Sequence, residues 1–96
     1  MNASACKSKV TRDQRREMAE RVRAALEPHQ PRAYRLVVDA ESLARRGDDW
    51  LIVVTPDRES APLGDSVTRM MAAEDDLRRR WRLNITLLPA MPPEDD

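Results

Sequence analysis

Trp50-Leu51-Ile52-Val53-Val54-Thr55 is the stretch on which the fold turns. It carries no charge, it is rich in β-branched and aromatic side chains, and Asp48-Asp49 and Pro56 bound it. A short unbroken apolar run of this kind predicts a strand with neighbours on both sides, at the centre of a sheet. Pro56 ends it, because proline has no N–H to give to a ladder. Upstream, Tyr34, Leu36 and Val38 alternate with Arg35, Val37 and Asp39. That period of two predicts a strand with one buried face. Between the two strands the chain allows two readings. Arg46-Gly47-Asp48-Asp49 can make a hairpin turn, with the first strand running on past Ala40. Alternatively, Asp39 caps a short helix over 40–46 that Gly47 closes. The hairpin is favoured because neighbouring strands joined by a short connection usually pair.

Further out, Thr11 and Gln14 have capping-box spacing. Met18, Val22, Ala25 and Leu26 then recur on one helical face, and Pro28 and Pro31 stop the helix, which spans about 12–27. On the other side of the central strand, 56–64 reads as a loop punctuated by Pro56, Pro62 and Gly64. A second helix follows, capped by Asp65 or Ser66. Val67, Met70, Ala73, Leu77 and Trp81 form its apolar stripe. Glu74 with Arg78, Asp75 with Arg79, and Asp76 with Arg80 place an acid four residues before a base, the favourable orientation. A third strand spans 84–88, with Ile85 and Leu87 on one face.

The order is α-β-β-α-β. It predicts an α+β domain over 10–90, with two helices packed on one face of a three-stranded mixed sheet and strand 3 returning parallel to strand 2. Residues 1–9 read as a disordered tail, and 91–96 as an acidic, proline-rich one. Such a sheet leaves its second face and its edges without a cover, and these need a partner or a polar coat.

Composition narrows the function classes. Ninety-six residues suit one domain. Leu, Ile and Val supply 18 of them and Phe none, which predicts a thin core. Seventeen bases balance 17 acids, so no global field draws in nucleic acid or an anionic membrane. All bases except Lys7 and Lys9 are arginine, a bias that a GC-rich coding sequence explains better than interface use does. Cys6, the only cysteine, can form no internal disulfide. No apolar stretch reaches the roughly 18 residues of a membrane helix, and the two residues before Ala3-Ser4-Ala5-Cys6 are too few for a signal peptide. A cytoplasmic protein without membrane contact is expected.

Arg78-Arg79-Arg80-Trp81-Arg82 has the look of a nucleic-acid patch with an aromatic inserted. Against it stand three acidic partners one turn earlier, the fit of bases to a helix C-terminus, and a place for Trp81 on the apolar stripe. The arginines of helix 1 alternate with acids and read as a solvated face. Asp39, Glu41, Asp48, Asp49, Asp57 and Glu59 cluster around the strands, but their spacing matches no metal-binding loop, and turns are rich in Asp for backbone reasons. His29 is the only histidine, and Gly47 and Gly64 the only glycines. No catalytic triad and no glycine-rich phosphate loop is expected, and no cofactor, metal or enzymatic activity.

The run Tyr34-Arg35-Leu36-Val37-Val38-Asp39 with Gly47-Asp48-Asp49-Trp50-Leu51-Ile52-Val53-Val54 resembles the N-terminal domain of the bacterial ribosome maturation factor family, which is also built α-β-β-α-β. The resemblance covers about 18–90 and implies that architecture and a ribosomal role. The family's Ser-Ser-Pro-Gly segment is replaced here by Leu87-Leu88-Pro89-Ala90, and its second domain is missing. Glu41-Ser42 followed by Asp48-Asp49 is similar, more faintly, to the active-site region of small nucleotidyltransferases. Glu41 stands where that family has glycine, and its metal-binding pair is broken, which implies an inactive relative.

The sequence therefore predicts a non-catalytic protein-interaction module. It would act through its open sheet surface or edge, by strand addition or self-association, with Trp50, Ile52 and Val54 as candidates for the exposed face and core packing as the alternative place for them. An RNA- or ribosome-associated domain using Arg78, Arg79, Arg80 and Arg82, with Arg45 and Arg46, is the alternative. A degenerate nucleotidyltransferase is the third reading.

Overall fold

Thr11 and Gln14 do close a capping box. The Gln14 N–H donates to Thr11 Oγ1 and the Thr11 N–H donates to Gln14 Oε1, both at 3.0 Å. The structure, a computed structural model, describes residues 10–58 and 61–90. The segments expected to be tails, and Glu59 of the acidic cluster, lie outside the described residues. Helix α1 runs Arg12–Leu26 and tightens into a 3-10 turn, Glu27–His29, at Pro28. Strands β1 (Leu36–Arg46) and β2 (Asp49–Pro56), helix α2 (Leu63–Arg80) and strand β3 (Ile85–Pro89) follow.

The sheet order is β1-β2-β3. Strand β1 pairs antiparallel with β2, and β3 lies parallel to β2 on its other side. This is the mixed three-stranded sheet of an α+β fold, with β2 central. Both helices pack on one face. The hairpin reading holds, since Arg46 pairs with Asp49 across the two-residue turn Gly47-Asp48. Gly47 has φ +62°, the left-handed conformation that such a turn demands at its first position and that glycine adopts at low cost.

The 40–46 segment is strand, but an irregular one. Asp39 pairs with Val53 and Ala44 with Leu51, so residues 40–43 stand opposite Ile52 alone. Local hydrogen bonds hold this bulge. Ser42 Oγ accepts from the Val53 N–H at 2.8 Å and donates to the Asp39 carbonyl at 2.6 Å, while the Glu41 N–H donates to Asp39 Oδ1 at 3.1 Å. The three surplus residues switch the parity of β1. Leu36 and Val38 point to the helices before the bulge, and Leu43 does so after it.

The core follows from β2. Ile52 and Val54 are fully buried beneath α1 and α2, with Leu36, Val38, Leu43, Ile85 and Leu87 beside them on the sheet. Val22 and Leu26 of α1 and Met70, Ala73 and Leu77 of α2 close over them. Two expectations for α2 change. Pro62, not Asp65 or Ser66, occupies the N-cap, and the buried stripe is Ser66, Met70, Ala73 and Leu77. Trp81 leaves the stripe, because the helix ends at Arg80 and the chain turns at Arg82 and Leu83 to reach Asn84, whose carbonyl accepts the Trp50 N–H at 2.8 Å. Trp81 is 53% exposed.

Burial on the two faces of the sheet predicts a sharp contrast in stability. Ile52→Ala should cost about 2–5 kcal/mol in urea denaturation, from lost apolar transfer and the cavity left behind. Val37→Ala, on the uncovered face, should cost less than about 1 kcal/mol.

Candidate functional site: an uncovered sheet face and an arginine–tryptophan end

The pleat decides which side chains face away from the helices. Ile52 and Val54, candidates for the exposed face, are 0% exposed and take the alternative place in the core, which removes them from the interaction surface. Trp50 is half-buried, packed against the core with the Arg45 guanidinium 5.1 Å from its ring centre. The uncovered face belongs to the alternate residues. Its rows, given by the strand register, are Val37 beside Thr55, then Asp39, Val53 and Leu88, then Ala44, Leu51 and Thr86. Val37 is 51% exposed and Leu88 38%; Leu51 and Val53, shielded by strands on both sides, are half-buried. Val37, Leu51, Val53 and Leu88 thus form one apolar surface, bordered by Thr55, Thr86 and the Asp39 carboxylate.

The sheet edges are a different case. The Asp57 N–H donates to the Arg35 carbonyl and the Arg35 N–H to Asp57 Oδ1, so by antiparallel alternation Leu36 and Val38 turn their backbone groups outward. The Gln30 carboxamide fills the Leu36 position as a neighbouring peptide would: its Nε2 donates to the Leu36 carbonyl and its Oε1 accepts the Leu36 N–H, both at 2.9 Å. Arg15 Nε donates to the Ala40 carbonyl, and the bulge follows at once. On β3, Glu74 Oε1 accepts the Leu87 N–H at 2.9 Å, and Pro89 has no N–H to offer. Both edges are blunted by side chains, bulge and proline, the devices that stop sheets from pairing edge to edge. No sequence signal marks Gln30 or Ser42 for these roles, since each acts through a backbone group brought close only by the fold.

The basic patch divides in two. Arg78 pairs with Glu74 at 3.7 Å and Arg79 with Asp75 at 3.0 Å, as their spacing predicts. Asp76 instead reaches His29, with 3.1 Å between Asp76 Oδ2 and His29 Nε2. Among the described residues no acid lies within ion-pair distance of Arg80 or Arg82. Arg82 has φ +50°, and the Arg21 guanidinium lies 5.3 Å from the centre of the Trp81 ring.

At the other end of α2 the fold builds a polar cluster that the sequence does not announce. Tyr34 Oη donates to Asp65 Oδ2 at 2.7 Å and lies 3.0 Å from Ser66 Oγ. Arg69 Nε donates to the same carboxylate oxygen at 2.8 Å, and Arg69 Nη1 donates to the His29 carbonyl at 2.8 Å. A shallow cavity of about 430 Å³ opens beside the cluster, with Arg32 and Pro62 on its walls. The Tyr34 hydroxyl and then Arg69 hold the Asp65 carboxyl below its usual range, while burial, reinforced by the Asp65 hydrogen bond, raises Tyr34. Tyr34, Asp65 and Arg69 satisfy one another, so the cluster reads as a clamp between α2 and the segment before β1. Of the carboxylates considered as ligands, Asp39 and Glu41 lie in the bulge, Asp48 and Asp49 at the hairpin, and Asp57 beyond β2. Ser42, part of the nucleotidyltransferase-like pattern, faces the Val53 N–H, and Asp49 pairs with Arg46.

No family model, curated protein or solved structure matches this chain.

Asp65 makes stability depend on pH in a definite direction. A carboxyl held below its unfolded value adds stability above about pH 4, and that stability is lost as pH falls through the folded value. Asp65→Asn should therefore lower the denaturation midpoint at neutral pH and flatten its decline below about pH 4 relative to the parent chain.

Proposed function

We propose that the chain is a non-catalytic interaction module of the cytosol whose uncovered sheet face receives one amphipathic helix of a partner protein. The observation that carries this reading is the apolar surface of Val37, Leu51, Val53 and Leu88 on a sheet that, among the described residues, is covered on its opposite face only. A domain of this type normally buries each apolar sheet face against another layer. The blunted edges favour contact through the face over strand addition. The dimensions favour a helix. Three strands at roughly 4.8 Å spacing put the outer strands about 10 Å apart, close to the diameter of one helix. From Thr55 to Leu51 the face runs about 13 Å, or between two and three helical turns. A surface this small falls well below the roughly 800 Å² that each partner of a stable dimer buries. It suits a partner helix held transiently better than a second copy of the chain.

The reading as non-catalytic is supported by how the chain uses its reactive groups. The Ser42 and Ser66 hydroxyls, the Tyr34 hydroxyl and the His29 ring are each engaged in hydrogen bonds that hold the fold together. Among the described residues no helix is long and apolar enough to cross a membrane.

Photo-crosslinkers at positions 37 and 88 test the proposal. The expected result is a partner peptide with an apolar stripe of helical period, joined at both positions and lost with Val53→Asp at unchanged circular dichroism. Light scattering should give an 11.0 kDa species. Twice that mass, with crosslinks from position 88 back to the chain's own β strands, would replace the partner helix by a second copy.

A further inference from the structure

The end of the domain where α2 stops and the hairpin turns carries features that the sheet-face reading leaves unused. The Trp50 N–H bonds the Asn84 carbonyl, which brings the tip of the β1–β2 hairpin to the chain that leaves α2. Both tryptophans of the protein therefore lie toward this end, and each has an arginine over its ring, Arg45 on Trp50 and Arg21 on Trp81. Trp50 is half-buried against the core. Trp81 is 53% exposed, which leaves much of a large aromatic surface in water beside a core short of apolar residues.

Two further observations concern charge. Asp76, the acid placed to pair with Arg80, is held by His29, so Arg80 has no carboxylate within ion-pair distance among the described residues. Arg82 occupies a left-handed turn at φ +50°, a position where glycine is the low-cost residue. A guanidinium at a strained backbone position, next to an exposed indole, is the kind of local cost that marks a binding site.

We propose that this end is a contact site for single-stranded nucleic acid, with the exposed surface of Trp81 stacking on an unpaired base and Arg80 and Arg82 meeting the flanking phosphates, while Arg21, held by Glu17 at 2.7 Å, backs the indole ring. Alternating planar and anionic groups are the repeat of a single strand, and an exposed indole between two arginines along the chain, Arg80 and Arg82, matches that repeat. A duplex keeps its base faces inside the stack and offers Trp81 no platform. An acidic peptide would use the arginines and leave the indole unused. Because the protein carries no net charge, the contact depends on these few groups, and its salt dependence is correspondingly shallow.

Fluorescence anisotropy of the full chain with labelled single-stranded RNA and DNA, the matching duplex and polyglutamate tests the proposal. The single strands should bind and quench tryptophan emission. Their log–log salt slope should be about −1.4, from roughly 0.7 per phosphate contact over two guanidinium groups. Trp81→Ala should weaken binding roughly tenfold. Arg82→Gly should weaken it while raising the thermal midpoint, a combination that a purely structural arginine would not give. Arg58→Ala, beyond the far end of β2, should leave the affinity within about twofold and controls for loss of charge alone. The proposal is overturned if the duplex or polyglutamate binds as well as the single strands, if Trp81→Ala binds like the parent chain, or if no single strand binds at low salt. Preference between RNA and DNA identifies which source of single strands the site serves.

Discussion

Ile52 and Val54 carry the structure. They are the residues of the central strand that both helices cover, and the rest of the domain is arranged around keeping them dry. With few large apolar side chains available, α1 and α2 converge on one face of the sheet and not on two. Once those side chains point inward, the pleat leaves no freedom for their neighbours. Leu51 and Val53 must point out, and the register of β1 and β3 places Val37 and Leu88 beside them. The core and the apolar outer face thus share one cause.

The treatment of the edges follows a separate logic. A small sheet with an apolar face is exposed to uncontrolled pairing, and both outer strands here are spoiled as templates. On β1 a carboxamide stands in for a peptide unit at Leu36, an arginine takes the Ala40 carbonyl, and a bulge breaks the ladder. On β3 a glutamate and a proline do the same. Ser42 makes the bulge affordable by accepting the Val53 N–H that would otherwise be buried without a partner. The bulge also lets β1 contribute inward-facing residues from both halves, although the hairpin would otherwise be out of step with the core.

Helix α2 ends differently at its two termini. At its start Tyr34, Asp65, Ser66 and Arg69 form a saturated cluster, with the carboxylate near the positive end of the helix dipole. That end is tied down. At its finish the helix stops short, Arg82 takes a conformation unusual for its type, and Trp81 stands partly in water. The contrast separates a terminus that stabilises the fold from one whose geometry adds strain and exposure.

Much of this was legible in the amino-acid order. The capping box, the α-β-β-α-β succession, the central strand, the hairpin at Gly47 and the parallel return of β3 all depend on local spacing, on residues with restricted backbone, or on connection length. Those quantities are fixed within a few neighbours along the chain. The continuous apolar run of β2 was another matter, since Ile52 and Leu51 are equally apolar and only the docking of two helices decided which parity went inside. Trp81 continues the α2 stripe by spacing, yet the turn toward Asn84 removed it, because the chain had to reach β2 for pairing. Asp76 had Arg80 four residues away and found His29 from a distant segment. Gln30 and Ser42 gained their roles through backbone groups of other strands. Local periodicity determined the elements, and tertiary packing decided which faces, ends and partners each element keeps, because those depend on contacts between residues far apart in the sequence.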